Sequence, residues 1–329
     1  MKMPSKQYWL ICLLLRAQKF KSSGFTLLEL LVTLLIGSII ITGLLYLVVE
    51  MLQIEQRETA IDNTQRDIQR ALDYMASDLR EAVHVYSDPI NAAAVTGLDD
   101  LPANPSTTVL AFWRPDPVDD TQIPDCSTTF TSGSDEEQEC EVLQVRKSAY
   151  TLVVYQLLEN DGAGTTSWEG QSRIVRYELP KYRTVSTLEQ TSGYQEPIDP
   201  DPSDATVINF ANWTPTAANT DGNAAVLVDF VDSPNGTVDD ASVLDCPVGM
   251  QRSPNPATVT ATSWTSFFAC VRDPDVGGVA TNQDVEIFLR GNFEPEDGGG
   301  SIRALSESSG LPTLRAGILV RGVIDKDPD

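Results

Sequence analysis

Few side chains in this sequence could carry chemistry, and their spacing narrows that chemistry sharply. One histidine, His84, occurs in 329 residues, which removes most zinc sites and most nucleophilic triads. As a general base His84 would need an activated nucleophile beside it, and no G-x-S-x-G elbow occurs. Acids number 47 against 23 basic residues, so carboxylate pairs at glycosidase spacing arise by chance and say little. Calcium is a better-motivated ligand for acidic loops. Asp199-Pro200-Asp201-Pro202-Ser203-Asp204 opens like an EF-hand loop, but Asp204 stands where glycine is needed and Phe210 where the bidentate glutamate belongs. Asp273-Pro274-Asp275 and Glu294-Pro295-Glu296-Asp297 are similar fragments. Solvated loops explain all three, so no cofactor is expected, with calcium as the one option. The most unusual charge is Glu29, an acid inside a long apolar run. A carboxylate at bilayer depth costs roughly 2.5–3.5 kcal/mol on insertion scales, and no cation lies between Lys21 and Arg57.

The elements around Glu29 follow from how charge is segregated. Residues 1–24 carry five bases (Lys2, Lys6, Arg16, Lys19, Lys21) and no acid. Leu30 to Val49 is an uncharged stretch of 20 residues, about 30 Å as a helix and enough to span a bilayer. Beyond it the sign reverses: residues 89–329 hold 37 acids and 14 bases. Positive charge before the apolar run and none just after it place the N-terminus in the cytoplasm and the remainder outside. The strong acidity excludes a nucleic-acid partner, because phosphate backbones are gripped by Lys/Arg clusters. Two plain readings compete at this end: a secretory signal peptide with Tyr8–Leu15 as its apolar core, and an uncleaved anchor. The first lacks a small-residue cleavage site, since Arg-Ala-Gln-Lys-Phe-Lys follows. Neither accounts for an acid five residues into the apolar segment.

The junction reads Lys21-Ser22-Ser23-Gly24-Phe25-Thr26-Leu27-Leu28-Glu29. It resembles the prepilin leader junction of type IV pilins and type II secretion pseudopilins: a basic leader, Gly, Phe, then a carboxylate at the fifth mature position. The resemblance implies cleavage between Gly24 and Phe25 by a prepilin peptidase, and N-methylation of Phe25. It makes residues 1–24 a leader and leaves a mature chain of 305 residues with 18 bases and 47 acids, a net charge of −29. The new amine of Phe25 is then a cation that a neighbouring subunit can present to Glu29, so that the acid is uncompensated alone and paired in the polymer. The competing explanation is that Glu29 snorkels to the interface. This leader is longer and more apolar than the short basic leaders of the family.

The helix is expected to continue beyond the apolar segment 25–49. Ile54, Ile61, Ile68, Leu72, Met75, Leu79 and Val83 recur at helical spacing. No proline intervenes before Pro89, so a helix over residues 25–86 is predicted, with 50–88 as its amphipathic half. Residues 72–83 also resemble the matching segment of J-type minor pseudopilins and W-type minor pilins. An ordinary core-facing helix fits that segment equally well.

After Pro89 the texture turns to short β-rich runs between Asp/Gly/Pro/Ser loops. Strands are predicted at Thr107–Trp113, Val142–Lys147, Tyr150–Leu158, Arg173–Leu179, Ala225–Val231, Trp264–Val271, Val285–Arg290 and Leu314–Ile324. No second long helical period is evident, so the expected architecture is α+β: a pilin-like long helix packed on an antiparallel β-rich head spanning 89–329. Cys126, Cys140, Cys246 and Cys270 lie in that head, and an even count in an exported domain reads as two disulfides with three possible connectivities. Nearest-neighbour pairing closes loops of 15 and 25 residues, worth about 3–3.5 kcal/mol each in the chain-entropy model. The last two strands look similar to heads of hormogonium polysaccharide secretion pseudopilins.

These readings converge on a non-enzymatic minor pseudopilin or minor pilin. Its implied partners are prepilin peptidase, other pilins or pseudopilins and an inner-membrane assembly platform; its implied place is the inner membrane, with the head outside. Two alternatives stay open: a single-pass anchor displaying a sensor or adhesin head, and a membrane-tethered hydrolase.

Overall fold

A computed structural model describes residues 24–102, 106–160, 167–198, 209–216, 219–234, 245–255, 266–272, 283–293 and 311–321. The chain divides into two units, Met1–Glu55 and Gln56–Asp329. One helix, α1 (Leu27–Glu81, 55 residues), supplies the described structure of the first unit and enters the second. In the first unit its apolar side chains are exposed all round, from Leu27 through Ile54.

Within the second unit, α1 buries one face. Thr64, Ile68, Ala71, Leu72, Met75, Ala76, Asp78 and Leu79 are buried, a stripe of i, i+3 and i+4 positions. The stripe expected from Ile54 starts burying ten residues later, at Thr64, and Ile54 is 55% exposed. The helix also ends at Glu81 rather than near residue 86. The chain is drawn off into sheet pairing well before Pro89. Val83 N–H donates to Trp113 O at 2.8 Å, Tyr86 N–H donates to Ala111 O at 2.9 Å, and β1 (His84–Val85) pairs with Trp113 and Phe112.

The head is antiparallel throughout its described pairings. A five-stranded sheet runs β1, β2 (Ser106–Pro117), β3 (Ser148–Glu159), β4 (Ser172–Leu179), β7 (Asn223–Val231). Between β4 and β7 a small hairpin, β5 (Tyr182–Thr184) and β6 (Glu189–Gln190), branches off. A four-stranded sheet runs β11 (Leu314–Leu319), β10 (Asp284–Leu289), β9 (Phe267–Arg272), β8 (Met250–Ser253). Short helices α2 (Ala93–Thr96) and α3 (Cys126–Thr129) lie in the connections, and α4 (Asp135–Arg146) precedes β3.

Two cores form because the five-stranded sheet is buried on both faces. One packs Ile68, Leu72, Met75 and Leu79 of α1 against Val153, Tyr155 and Leu157 of β3, and against Phe267, Val271, Val285 and Ile287 of the second sheet. The other packs Leu152 and Val154 of β3 against Trp113, Trp213 and Tyr194. Strand β3 therefore alternates between two apolar environments and reads as a continuous apolar run. The sheets are joined by a bridge between Val231 and Gly291. Gly291 allows the helix to approach closely here: a Cβ would sit 2.8 Å from the Ile68 side chain and 3.0 Å from that of Thr64, so a larger residue would force them to shift. The amide of Gln283 completes the free edge of β1, accepting from Val85 N–H at 2.9 Å and donating to Val85 O at 2.8 Å.

Seven of the expected strand segments overlap strands in the structure, and one does not. Val142–Lys147 is the C-terminal half of α4, not a strand. Ser134 caps that helix by accepting from Glu137 N–H, Asp135, Glu136 and Glu137 occupy its first turn, and Arg146 its last, an arrangement that favours a helix at both ends.

Candidate functional site

The site built around Glu29 begins with the exposed residues Gly24, Phe25 and Thr26, which lie outside regular secondary structure ahead of the first turn of α1. Phe25 is 77% exposed, and a Cβ placed on Gly24 would meet nothing within 4 Å. Packing therefore gives no reason for glycine at that position. Thr26 serves as the helix cap: its hydroxyl accepts from Glu29 N–H at 3.3 Å, and its carbonyl accepts from Leu30 N–H at 3.2 Å. Thr26-x-x-Glu29 is thus one half of a capping box, a signal carried by the same stretch of sequence as the junction. The acid sits in the first turn, where the helix dipole favours it by about 0.3–1 kcal/mol. Among the described residues, its carboxylate makes no ion pair.

Downstream of the cap the helix is long and apolar enough to cross a membrane, with its apolar window unburied. Ser38 and Thr42 hide their hydroxyls by donating to backbone carbonyls one turn back, Leu35 O and Ser38 O, each at 2.8 Å. Gly37 and Gly43 have open space where a Cβ would go. Residues 19–45 match the prokaryotic N-terminal methylation motif. The motif supports a type IV pilin-like precursor and spans the junction and most of the apolar segment 25–49. No curated protein and no solved structure matches the chain.

The methylation motif lies entirely ahead of the head, whose chemistry has to be read from its own geometry. The pairs Cys126–Cys140 and Cys246–Cys270 are disulfides, with Cα atoms 5.6 and 5.5 Å apart, the nearest-neighbour connectivity. Cys140 and Cys126 tie α4 to α3 over a small core of Leu143, Tyr182 and Leu188. His84 lies in β1, stacked on Phe210 at 5.9 Å and edge-on to Tyr86 at 4.9 Å, a position within an aromatic cluster. No group of three or more metal-ligating side chains occurs among the described residues. The acidic segments 199–204, 273–275 and 294–297 lie outside those residues.

A buried electrostatic cluster in the head is structural. Asp78 of α1, with its side chain 6% exposed, accepts from Arg114 at 2.7 Å, from Arg176 at 2.8 Å and from the Tyr155 hydroxyl at 2.6 Å. Burial pushes the Tyr155 hydroxyl pKa well up, and the charge of Asp78 adds to that. Burial draws the Arg176 guanidinium down, but hydrogen bonds to Asp78 and Glu178 outweigh it and hold the group charged. A groove of about 580 Å³ lies beside α4, lined by Val142, Arg146, Tyr150, Lys181 and Ile198 among others. Its Lys181 is held between Glu139 at 3.0 Å and Glu196 at 2.8 Å, and the Tyr182 hydroxyl donates to Glu139 at 2.8 Å.

Proposed function

We propose that the chain is a minor pilin or pseudopilin: a non-enzymatic subunit of an envelope filament, cut after Gly24 by prepilin peptidase and methylated on Phe25. The observation that carries this is the order of features at the N-terminus. An unpacked glycine, an exposed phenylalanine and a capped helix start come immediately before an exposed apolar helix, within a matched methylation motif. A plain anchor needs only the apolar helix. The leader stays cytoplasmic, the apolar segment rests in the inner membrane before assembly, and the head lies outside. Assembly runs on an inner-membrane platform with other pilins or pseudopilins, and the head supplies contacts to cargo or to the filament end. A mature length of 305 residues suits a minor subunit of a secretion pseudopilus, with polysaccharide or protein as the exported material. Glu29 argues against the tip-most slot, whose occupants often lack the fifth-position acid.

Glu29 has two separable roles, since its backbone N–H completes the cap and its carboxylate supplies the charge. Glu29→Gln keeps the backbone cap bond and a side chain suited to a capping box while removing the charge. Processing at Gly24 should continue in this variant, while its share in the sheared filament fraction should fall at least tenfold relative to the membrane fraction, a loss of about 1.4 kcal/mol or more. Normal incorporation of Glu29→Gln would show that the acid serves only the helix cap and would remove the assembly role.

A further inference from the structure

Helix α4 presents two apolar faces, and only one has a use in the described structure. Cys140 and Leu143 point inward and are buried, whereas Val142 and Val145 are 46% and 83% exposed. The other exposed large apolar residues described between 56 and 329 (Tyr74, Trp168, Ile198, Val248 and Leu319) lie on separate elements, and Ile198 lines the groove next to Val142. The outward face is rigidly presented. Cys140 is tied to Cys126, Gln144 donates to Pro124 O at 3.2 Å, and Lys147 pairs with Asp120 at 2.6 Å. Glu141 and Arg146 flank the two valines, and neither makes an ion pair among the described residues.

We infer that this face is a parallel, twofold docking surface for a second copy of the same chain. The spacing carries the inference. Val142 and Val145 occupy the a and d positions of a heptad, Glu141 the preceding g and Arg146 the following e. In a parallel helix pair, g lies beside the e residue five positions on in the partner, so Glu141 of each copy meets Arg146 of the other. The face is therefore self-complementary in the parallel orientation, as an isologous contact requires. The seam is a single heptad with Gln138 at the preceding d position, so the contact is weak and depends on copies being concentrated, as they are when held in one bilayer.

Oxidative cross-linking of the full-length chain in lipid membranes, in a Cys12→Ala background, tests this directly. Val142→Cys and Val145→Cys should each give cross-linked dimers with themselves, several-fold above Thr131→Cys on an exposed loop. A tagged Val142→Cys chain mixed with Val145→Cys should give mainly the two self-pairs. Adding Glu141→Arg to Val145→Cys should reduce dimer to the Thr131→Cys level, and adding Arg146→Glu as well should restore it. Dimer no higher than the loop control, a mixed pair that dominates, or a double variant that fails to recover would each overturn the proposal.

Discussion

At Asp78 one carboxylate on α1 holds partners from three adjacent strands: Arg114 of β2, Tyr155 of β3 and Arg176 of β4. Removing one member of a buried, hydrogen-bonded set leaves uncompensated charge and typically costs about 3–5 kcal/mol. Asp78→Ala should fall near 3 kcal/mol, because Arg114 keeps Asp116 at 2.7 Å and Arg176 keeps Glu178. Urea unfolding of the full chain measures this. The exposed Arg66–Asp62 pair on the same helix, 3.5 Å apart with both side chains 65% exposed, sets the contrast: Asp62→Ala should change stability by under about 0.5 kcal/mol. Asp99 gives a pH signature. Hydrogen bonds from the Thr220 backbone N–H and hydroxyl hold its carboxyl below its ordinary value of 3.8. A depressed pKa stabilises the folded state above that ordinary value, and the stabilisation is lost as pH falls through the folded pKa. Asp99→Asn should therefore unfold more readily than the parent at pH 7, and the gap should narrow as both are titrated below pH 3.8. A gap that stayed constant with pH would assign the effect to packing instead.

At the scale of elements, the Cys126–Cys140 disulfide holds α4 in place over a satellite core of few residues. Replacing both cysteines with serine should cost about 2–4 kcal/mol and should raise hydrogen exchange in α4 more than in β3. Uniform loss across the head would mean that α4 is not a separate stability unit. This element is also where sequence pattern and structure part. Glu141-Val142-Leu143-Gln144-Val145 alternates enough to suggest a strand, yet Cys140 and Leu143 also fit a helical face. The decisive cues were Ser134, Glu137 and the acidic first turn, which lie outside the alternating run. The buried half of α1 was legible because Ile68, Leu72, Met75 and Leu79 repeat at helical spacing and meet a continuous apolar partner in β3. Its end was not. Val83 to Tyr86 carry no breaking residue, and the helix stops because Trp113 and Ala111 offer sheet hydrogen bonds, a tertiary contact that local pattern does not report. The disulfide partners were open to three pairings by count alone, and the fold brings Cys126 to Cys140 between two helices and Cys246 to Cys270 of β9. At the N-terminal junction, Gly24, Phe25 and Glu29 were visible from residue type and offset. The Thr26 cap was present in the same stretch and was masked by the stronger anomaly of an acid in an apolar run.

Across the whole molecule, charge and apolar surface are sorted by position along the chain. Five bases precede Gly24 with no acid among them, the stretch from Leu30 to Val49 is uncharged, and 37 of the 47 acids follow Pro89. The two units carry distinct physical roles. The described part of the first is a single helix whose apolar side chains have no partner among the described residues, whereas the second closes its own cores around the far half of that helix. An exposed apolar surface of that extent marks a candidate membrane span or subunit contact. The proposed function supplies both in turn, and it depends on one covalent event. Mass spectrometry of the N-terminal peptide from protein isolated from its native membranes tests that event directly. The expected peptide begins at Phe25 and carries one added methyl group on its amine. A peptide retaining the residues before Gly24 would overturn the assignment.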